Sequence, residues 1–174
     1  MALSTQVIGQ SMTHGYAGSY ARQPDSVIDT HPMASAEDTT PITFGLGVVL
    51  DDANAVTLPE DTSTAAQFLG VAVREIKSAT DYLSQSVGQY NPGDAVPIMK
   101  RGCVNVICQN GTPAQGGDVY LRVKANDSLP NAVVGGFEAT ADSTNSVKLT
   151  NCKWKGPADS NKVAEMRIMT IINA

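Results

Sequence analysis

Residues 90–123, YNPGDAVPIMKRGCVNVICQNGTPAQGGDVYLRV, restrict the possible folds more than any other part of the chain. Short apolar runs alternate there with tight turns of glycine, proline and asparagine. Gly-Asp opens two of these runs, at Gly93-Asp94 and Gly117-Asp118. Turns this frequent favour short strands over long helices. The segment therefore predicts a β-core that presents flat faces.

The same pattern continues on both sides of this segment. The predicted strands are Ile42–Leu50, Ala55–Leu58, Gln67–Ile76, Asp94–Lys100, Gly102–Gln109, Asp118–Lys124, Ala132–Ala139, Ser146–Trp154 and Lys162–Ile172. Residues 64–68 predict one helical turn. The predicted fold class is all-β, a small β-barrel or jelly-roll-like β-sandwich with an extended N-terminal arm.

Three finer features of the strand pattern can be compared directly with a structure. Asn110-Gly111 is a typical hairpin turn and predicts that the strands on either side of it pair. Residues 132–139 and 146–154 are predicted to form a further hairpin. Pro97 lacks a backbone N–H, so its strand is predicted to be an edge or bulged strand.

Residues 1–41 are predicted to form an extended N-terminal arm, and residues 42–174 the β-barrel or sandwich body. The arm shows no period of 2 or 3.6 and contains several glycines and prolines, so we expect little secondary structure in it. Its scattered apolar side chains need a surface on which to be buried, supplied by a neighbouring chain or by the arm's own body. We expect the arm to be mobile in the free protein and ordered along a neighbouring subunit after assembly.

The charge is unevenly distributed along the chain. Residues 1–70 hold one basic and eight acidic residues, net −7, whereas residues 71–174 hold eleven basic and nine acidic residues, net +2. The overall net charge of −5 argues against a nucleic-acid partner. No apolar run approaches the roughly 20 residues that span a bilayer, so no membrane partner is expected. Cys103, Cys108 and Cys152 lack CxxC spacing and are predicted to be reduced, buried and structural.

Patterns typical of catalytic or cofactor sites are missing from the sequence. His14 and His31 both lie in the arm without an acid or nucleophile at a meaningful spacing. The acidic pairs at residues 51–52 and 60–61 lack the spacing of an EF-hand. We therefore predict no enzyme activity, no catalytic residue, no metal and no cofactor. A small hydrolase or isomerase on a β-barrel is the competing class, and it would need a His/acid or acid/acid pair in a cleft.

Five segments in a fixed order carry a resemblance to a known family. They are Pro41–Gly45 (PITFG), Phe68–Arg74 (FLGVAVR), Tyr90–Asp94 (YNPGD), Lys100–Val106 (KRGCVNV) and Gly116–Tyr120 (GGDVY). The chain resembles the structural cement, or capsid decoration, proteins of tailed bacteriophages over roughly residues 14–172. The stretch Gly15–Gly18, with Arg22, Pro24, Ile28 and Thr30, is similar to that family's N-terminal arm.

The resemblance implies a structural virion protein that binds the outside of an icosahedral head and bridges neighbouring major capsid proteins. It implies self-association as a dimer or trimer at local symmetry axes, synthesis in the bacterial cytoplasm, and a final location on the capsid surface. Six arm residues are the predicted capsid or subunit contacts: Tyr16, Tyr20, Arg22, Val27, Ile28 and Met33. The alternatives are a tail or baseplate protein, or a β-sandwich binding module. A carbohydrate-binding module would need exposed aromatic residues on one face, and Trp154 is the single tryptophan.

Overall fold

A computed structural model of the chain describes residues 13–35, 40–51, 53–75 and 88–171. Its regular structure consists of β-strands and of one-turn 3-10 helices, one of which, Ala65–Gln67, confirms the predicted helical turn. The strands are β1 (Tyr20–Pro32), β2 (Ile42–Thr43), β3 (Gly47–Leu50), β4 (Val56–Thr57), β5 (Phe68–Ala72), β6 (Gln89–Tyr90), β7 (Ala95–Ile107), β8 (Asp118–Arg122), β9 (Phe137–Glu138), β10 (Ser146–Trp154) and β11 (Val163–Ile168).

Most strands belong to one strongly curled antiparallel sheet that forms a half-barrel. The order is β4-β3-β5-β7-β11-β10-β8-β9, with β1 also paired to β7, while β2 and β6 form a separate small sheet. Hydrogen bonds tie the β9 region to the chain just after β7. The Gln109 N–H donates to the Phe137 carbonyl at 2.8 Å, and the Ala139 N–H donates to the Asn110 carbonyl at 2.8 Å. The predicted all-β fold class is confirmed.

Strand β7 is longer and more central than the sequence indicates. The two strands predicted at residues 94–100 and 102–109 are one strand, flanked by β5, β1 and β11. Pro97 therefore does not lie in an edge strand, which corrects that alternative. The strand is bulged as predicted, because the register with β1 shifts between the pairs Val27–Arg101 and Ile28–Met99. The Pro97 carbonyl accepts the Val73 N–H at 3.0 Å. The Val73 carbonyl, to which a proline cannot donate, accepts the buried Tyr90 hydroxyl at 2.7 Å. Tyr90 thus supplies the hydrogen bond that Pro97 lacks.

Both predicted hairpins are wrong. The turn at Asn110-Gly111 does not join paired strands, because β8 pairs with β10 and β9 rather than with β7. The loop turns toward β9 instead, and a Cβ at Gly111 would lie 2.3 Å from the Thr140 hydroxyl oxygen. Strands β9 and β10 are not paired either, since β8 lies between them. The hairpin of β3 and β4 does form.

The N-terminal region contains a long strand, contrary to the prediction of little secondary structure. Strand β1 runs antiparallel to β7, from Tyr20 opposite Val104 to Pro32 opposite Ala95. It passes closely over Gly102, where a Cβ would lie 2.7 Å from the Asp25 carbonyl oxygen. In residues 13–35, the body of the same chain thus supplies the surface that the arm needs. The division into an arm and a body at residue 41 stays a prediction.

The apolar interior forms two clusters. The larger lies inside the curled sheet and includes Phe68, Leu121, Phe137, Leu149 and Trp154. The smaller lies between β3, β4 and the first half of β7, and β1 leads directly into it because Met33 is one of its buried members, 2% exposed. The prediction that the three cysteines are buried is confirmed, and all three are free. Burial raises the pKa of each thiol, which keeps them unreactive.

The closest backbone approach in this core predicts a large effect of one methyl group. A Cβ at Gly70 in β5 would lie 2.4 Å from the Met99 carbonyl oxygen of β7. We expect Gly70→Ala to destabilise the protein by about 1–3 kcal/mol, because β5 and β7 must separate. Chemical denaturation measures this. Gly156→Ala is the control, since no atom lies within 4 Å of its Cβ position. Equal stability of the two variants would contradict the packing described here.

Candidate functional site

The turn at residues 15–18 is hydrogen-bonded to β7 on one side and to the segment that follows β5 on the other. The Gly18 N–H donates to the Asn105 carbonyl, and the Arg74 N–H donates to the Gly18 carbonyl, both at 2.8 Å. Gly18 has a φ of +80°, and a Cβ there would lie 2.9 Å from the Phe44 Cβ. Both the positive φ and the close contact with Phe44 require a glycine at this position. These hydrogen bonds bring Tyr16 beside Arg74.

The Arg74 guanidinium lies near two aromatic rings. Its guanidinium carbon lies 4.5 Å from the centroid of the Tyr16 ring and 6.0 Å from that of Phe44. Both distances are within the range of cation–π attraction. Tyr16 is 56% exposed and Arg74 is also exposed, so the stacked pair is presented to solvent.

A shallow hollow of about 720 Å³ surrounds this pair. Its walls are Tyr16, Ser19, Tyr20, Arg74 and Glu75. The Tyr20 hydroxyl donates a short hydrogen bond to the Glu75 carboxylate. Burial, that hydrogen bond and the charge of Glu75 together raise the pKa of the Tyr20 phenol. The phenol is therefore neutral at physiological pH and remains a hydrogen-bond donor to Glu75.

Ion pairs at the surface connect β1 to the strands beneath it. The pairs are Asp25 with Arg101 (2.6 Å) and Arg167 (3.0 Å), Arg22 with Glu165 (2.6 Å), and Asp29 with Lys100 (2.8 Å). The hydrogen bond from Arg101 lowers the pKa of Asp25, and the one from Lys100 lowers that of Asp29. Each pair has at least one exposed partner, although the side chains of Glu165 and Lys100 are only 9% and 13% exposed. Solvent therefore screens the pairs, and they orient β1 more than they stabilise it.

A second surface is an apolar groove of about 700 Å³. It is lined by Thr40, Pro41, Thr43, Leu46, Thr57, Leu58, Pro59, Glu60, Val133 and Val134. Val133, which lines the groove, is 50% exposed. Ile107, which lines a small cavity next to the groove together with Val133, is also exposed. Exposed apolar side chains that share one surface are typical of protein contact sites.

A buried charge cluster lines neither surface. Arg122 and Glu138 are 0% exposed and form an ion pair, and the guanidinium also donates to Asp142 at 2.7 Å and to the Lys124 carbonyl at 3.1 Å. Asn126 donates a further hydrogen bond to Asp142. Burial raises the pKa of Glu138 against the opposing effect of Arg122. The cluster joins β8, β9 and the loop before β10, which is a structural role.

The six predicted contact residues have different surroundings. Tyr16 belongs to the hollow, Tyr20 packs partly against the larger core, and Arg22 pairs with Glu165. Val27 is half-buried opposite Arg101 in β7, and Ile28 packs against the larger core. Met33 is fully buried in the smaller core and has no surface to offer to a partner. The sequence pattern missed Arg74, Phe44 and the groove, because arm and body residues that meet there are far apart in the chain.

The described residues show no arrangement typical of catalysis. The His14 Nε2 lies 3.2 Å from the Pro157 carbonyl, and His31 lies in β1 opposite Val96. No group of three or more described histidine, cysteine or acidic residues is close enough to hold a metal. In the same part of the chain, no helix is long and apolar enough to cross a membrane. The accessible features of these residues are the hollow and the groove.

Comparison with known proteins agrees with a contact role. The family described as structural cement protein (E217 gp24/Pam3 gp6), a family of phage proteins, matches residues 3–169. The chain belongs to this family, so it is a structural, capsid-associated cement or decoration protein of a phage virion. A chain in a structure entitled "The capsid of Myoviridae Phage XM1" has the same fold, with a TM-score of 0.69 and 16% identity over 99% of this chain and 100% of that one. No curated protein matches.

Proposed function

We propose that this protein binds the outside of an icosahedral phage head, bridges neighbouring copies of the major capsid protein and thereby stabilises the shell. The match of nearly the whole chain to the cement family carries the proposal. The two exposed surfaces support it, because a bridging protein needs more than one place of contact. The hollow offers an aromatic–arginine pair and the groove offers apolar side chains. Both chemistries occur in the energetic centres of protein interfaces.

Several finer points belong to the same proposal. The protein acts without catalysis, self-associates as a dimer or trimer at local symmetry axes, and is made in the host cytoplasm before it binds the head. Tyr16 is the contact favoured among the six predicted residues, since it is both exposed and stacked. Tyr20, Val27 and Ile28 have less surface available, because they lie against the body of the same chain.

Adding the protein to undecorated shells tests the proposal directly. We expect binding in fixed stoichiometry and a higher melting temperature of the shell, because a ligand that binds only the assembled state stabilises that state. Co-sedimentation measures the binding, and calorimetry measures the melting. Heat-unfolded protein is the control. A shell whose melting is unchanged at saturating concentrations of folded protein would contradict the proposal.

A further inference from the structure

Arg74 differs from every other arginine of the chain. The other four, Arg22, Arg101, Arg122 and Arg167, each hold a carboxylate of this chain within 3.0 Å. Arg74 makes no ion pair with the described residues, and the nearby Glu75 carboxylate accepts the Tyr20 hydroxyl instead. Its exposed guanidinium thus has two aromatic neighbours, and among residues 13–35, 40–51, 53–75 and 88–171 no carboxylate pairs with it.

We propose that Arg74, whose guanidinium lies near the Tyr16 and Phe44 rings, binds an aspartate or glutamate side chain on the capsid shell. The inference rests on the proposed function and names the chemistry of one of its contacts. The planar guanidinium can donate two parallel hydrogen bonds to one carboxylate, which a lysine ammonium cannot do.

The surroundings of Arg74 hold its guanidinium in place before any partner arrives. Its backbone N–H is fixed by the Gly18 carbonyl, and its side chain lies 4.5 Å from the Tyr16 ring. Less side-chain freedom is then lost when a partner binds, which lowers the cost of association. An arginine beside an exposed tyrosine in a hollow is also the composition typical of interface hot spots.

The partner group is a carboxylate on a protein rather than a phosphate of nucleic acid. The chain carries a net charge of −5, and Glu75 lies in the same hollow. A polyphosphate would meet repulsion from both, because the field of a nucleic acid extends over many charges. A single carboxylate on a folded shell can approach Arg74 alone.

Three substitutions at one position test the charge and the geometry. We expect affinity for undecorated shells to fall in the order Arg74, Arg74→Lys, Arg74→Ala, Arg74→Glu, with Arg74→Ala weakened roughly tenfold to hundredfold. Tyr16→Ala should weaken binding as well, because the guanidinium loses its stacking partner. Lys124→Ala is the matched control, since Lys124 is an exposed cation outside the hollow whose ion pair with Asp61 is long, at 3.7 Å.

The measurements are dissociation constants from co-sedimentation, repeated with short duplex DNA as competitor, together with the melting temperature of each free variant. The free variants should melt within about 2 °C of the unaltered protein, because the replaced group is exposed. Equal binding by Arg74→Ala and the unaltered protein would overturn the inference while the proposed function stands. If Arg74→Glu and Arg74→Ala bound equally well, the partner group would not be a carboxylate. If DNA displaced the protein from the shells, the partner group would be a phosphate. Failure of the unaltered protein to bind shells would overturn both proposals.

Discussion

Replacing Arg122 with methionine is expected to destabilise the protein by about 3–5 kcal/mol, the cost of leaving a buried charge without its partner. Arg122 and Glu138 are both 0% exposed, and the same guanidinium donates to Asp142 and to the Lys124 carbonyl. Methionine fills a similar space but offers no donor. Urea denaturation measures the free energy of unfolding.

Two further variants separate the charge effect from a packing effect. Arg167→Met is the matched control and should change stability little, because its ion pair with Asp25 is exposed and Asp25 keeps Arg101. The double variant Arg122→Met with Glu138→Leu should recover most of the loss, since no uncompensated charge remains buried beside β9. A double variant as unstable as Arg122→Met would show that packing, rather than the buried charge, determines the cost.

The loss caused by Arg122→Met should also depend on pH. Burial already raises the pKa of Glu138, and Arg122 opposes that rise, so the substitution should raise this pKa further. Hydrogen bonds from Asn126 and Arg122 lower the pKa of Asp142, which gives the native protein stability that is lost as the pH falls. Both effects make the difference between the two proteins larger at pH 7 than near pH 4. A difference that is constant or grows in acid would contradict this account.

The sequence predicts strands well and pairing poorly, for a physical reason. Alternation of apolar residues and turn chemistry are local, so the strands at residues 118–122, 146–154 and 163–168 can be located from sequence alone. Pairing depends on which distant segment covers each strand. Asn110-Gly111 has the composition of a hairpin turn, yet its loop bonds to the β9 region and leaves β8 to pair with β10.

In the candidate contact site, too, the sequence identifies some residues and misses others. Tyr16 is identifiable because an apolar side chain in a segment without periodicity needs a surface. Arg74 carries no such signal, since an arginine at the end of a predicted strand is ordinarily a solvated residue. The tyrosine and the arginine meet because the backbone of Gly18 is hydrogen-bonded to Asn105 and to Arg74, a contact between distant parts of the chain. Met33 shows the limit of the same signal, because an apolar side chain in such a segment is also explained by burial in the smaller core of its own chain.

Deleting residues 1–35 is expected to remove most of the stability of the body. The deletion takes away β1, which leaves one side of β7 unpaired, and it empties the Met33 position in the smaller core. Met33→Ala alone should cost about 2–5 kcal/mol, the range for large-to-small substitutions in a core. Because small domains are stable by only about 5–15 kcal/mol, the loss of the whole strand should abolish cooperative unfolding. Circular dichroism during heating shows whether the truncated protein still unfolds cooperatively.

Asp25→Asn distinguishes the two ways in which β1 is attached. It removes the charge that Arg101 and Arg167 share but leaves the backbone pairing with β7 and the burial of Met33 intact, so we expect little change in stability. A truncated body that melts like the full chain would restore the view of residues 1–41 as a separable arm. A large loss of stability in Asp25→Asn together with a small loss in Met33→Ala would mean that ion pairs, rather than strand pairing and apolar burial, attach β1 to the body. The expected order is the reverse, because backbone hydrogen bonds and a fully buried side chain are shielded from water, whereas the carboxylate of Asp25 is not.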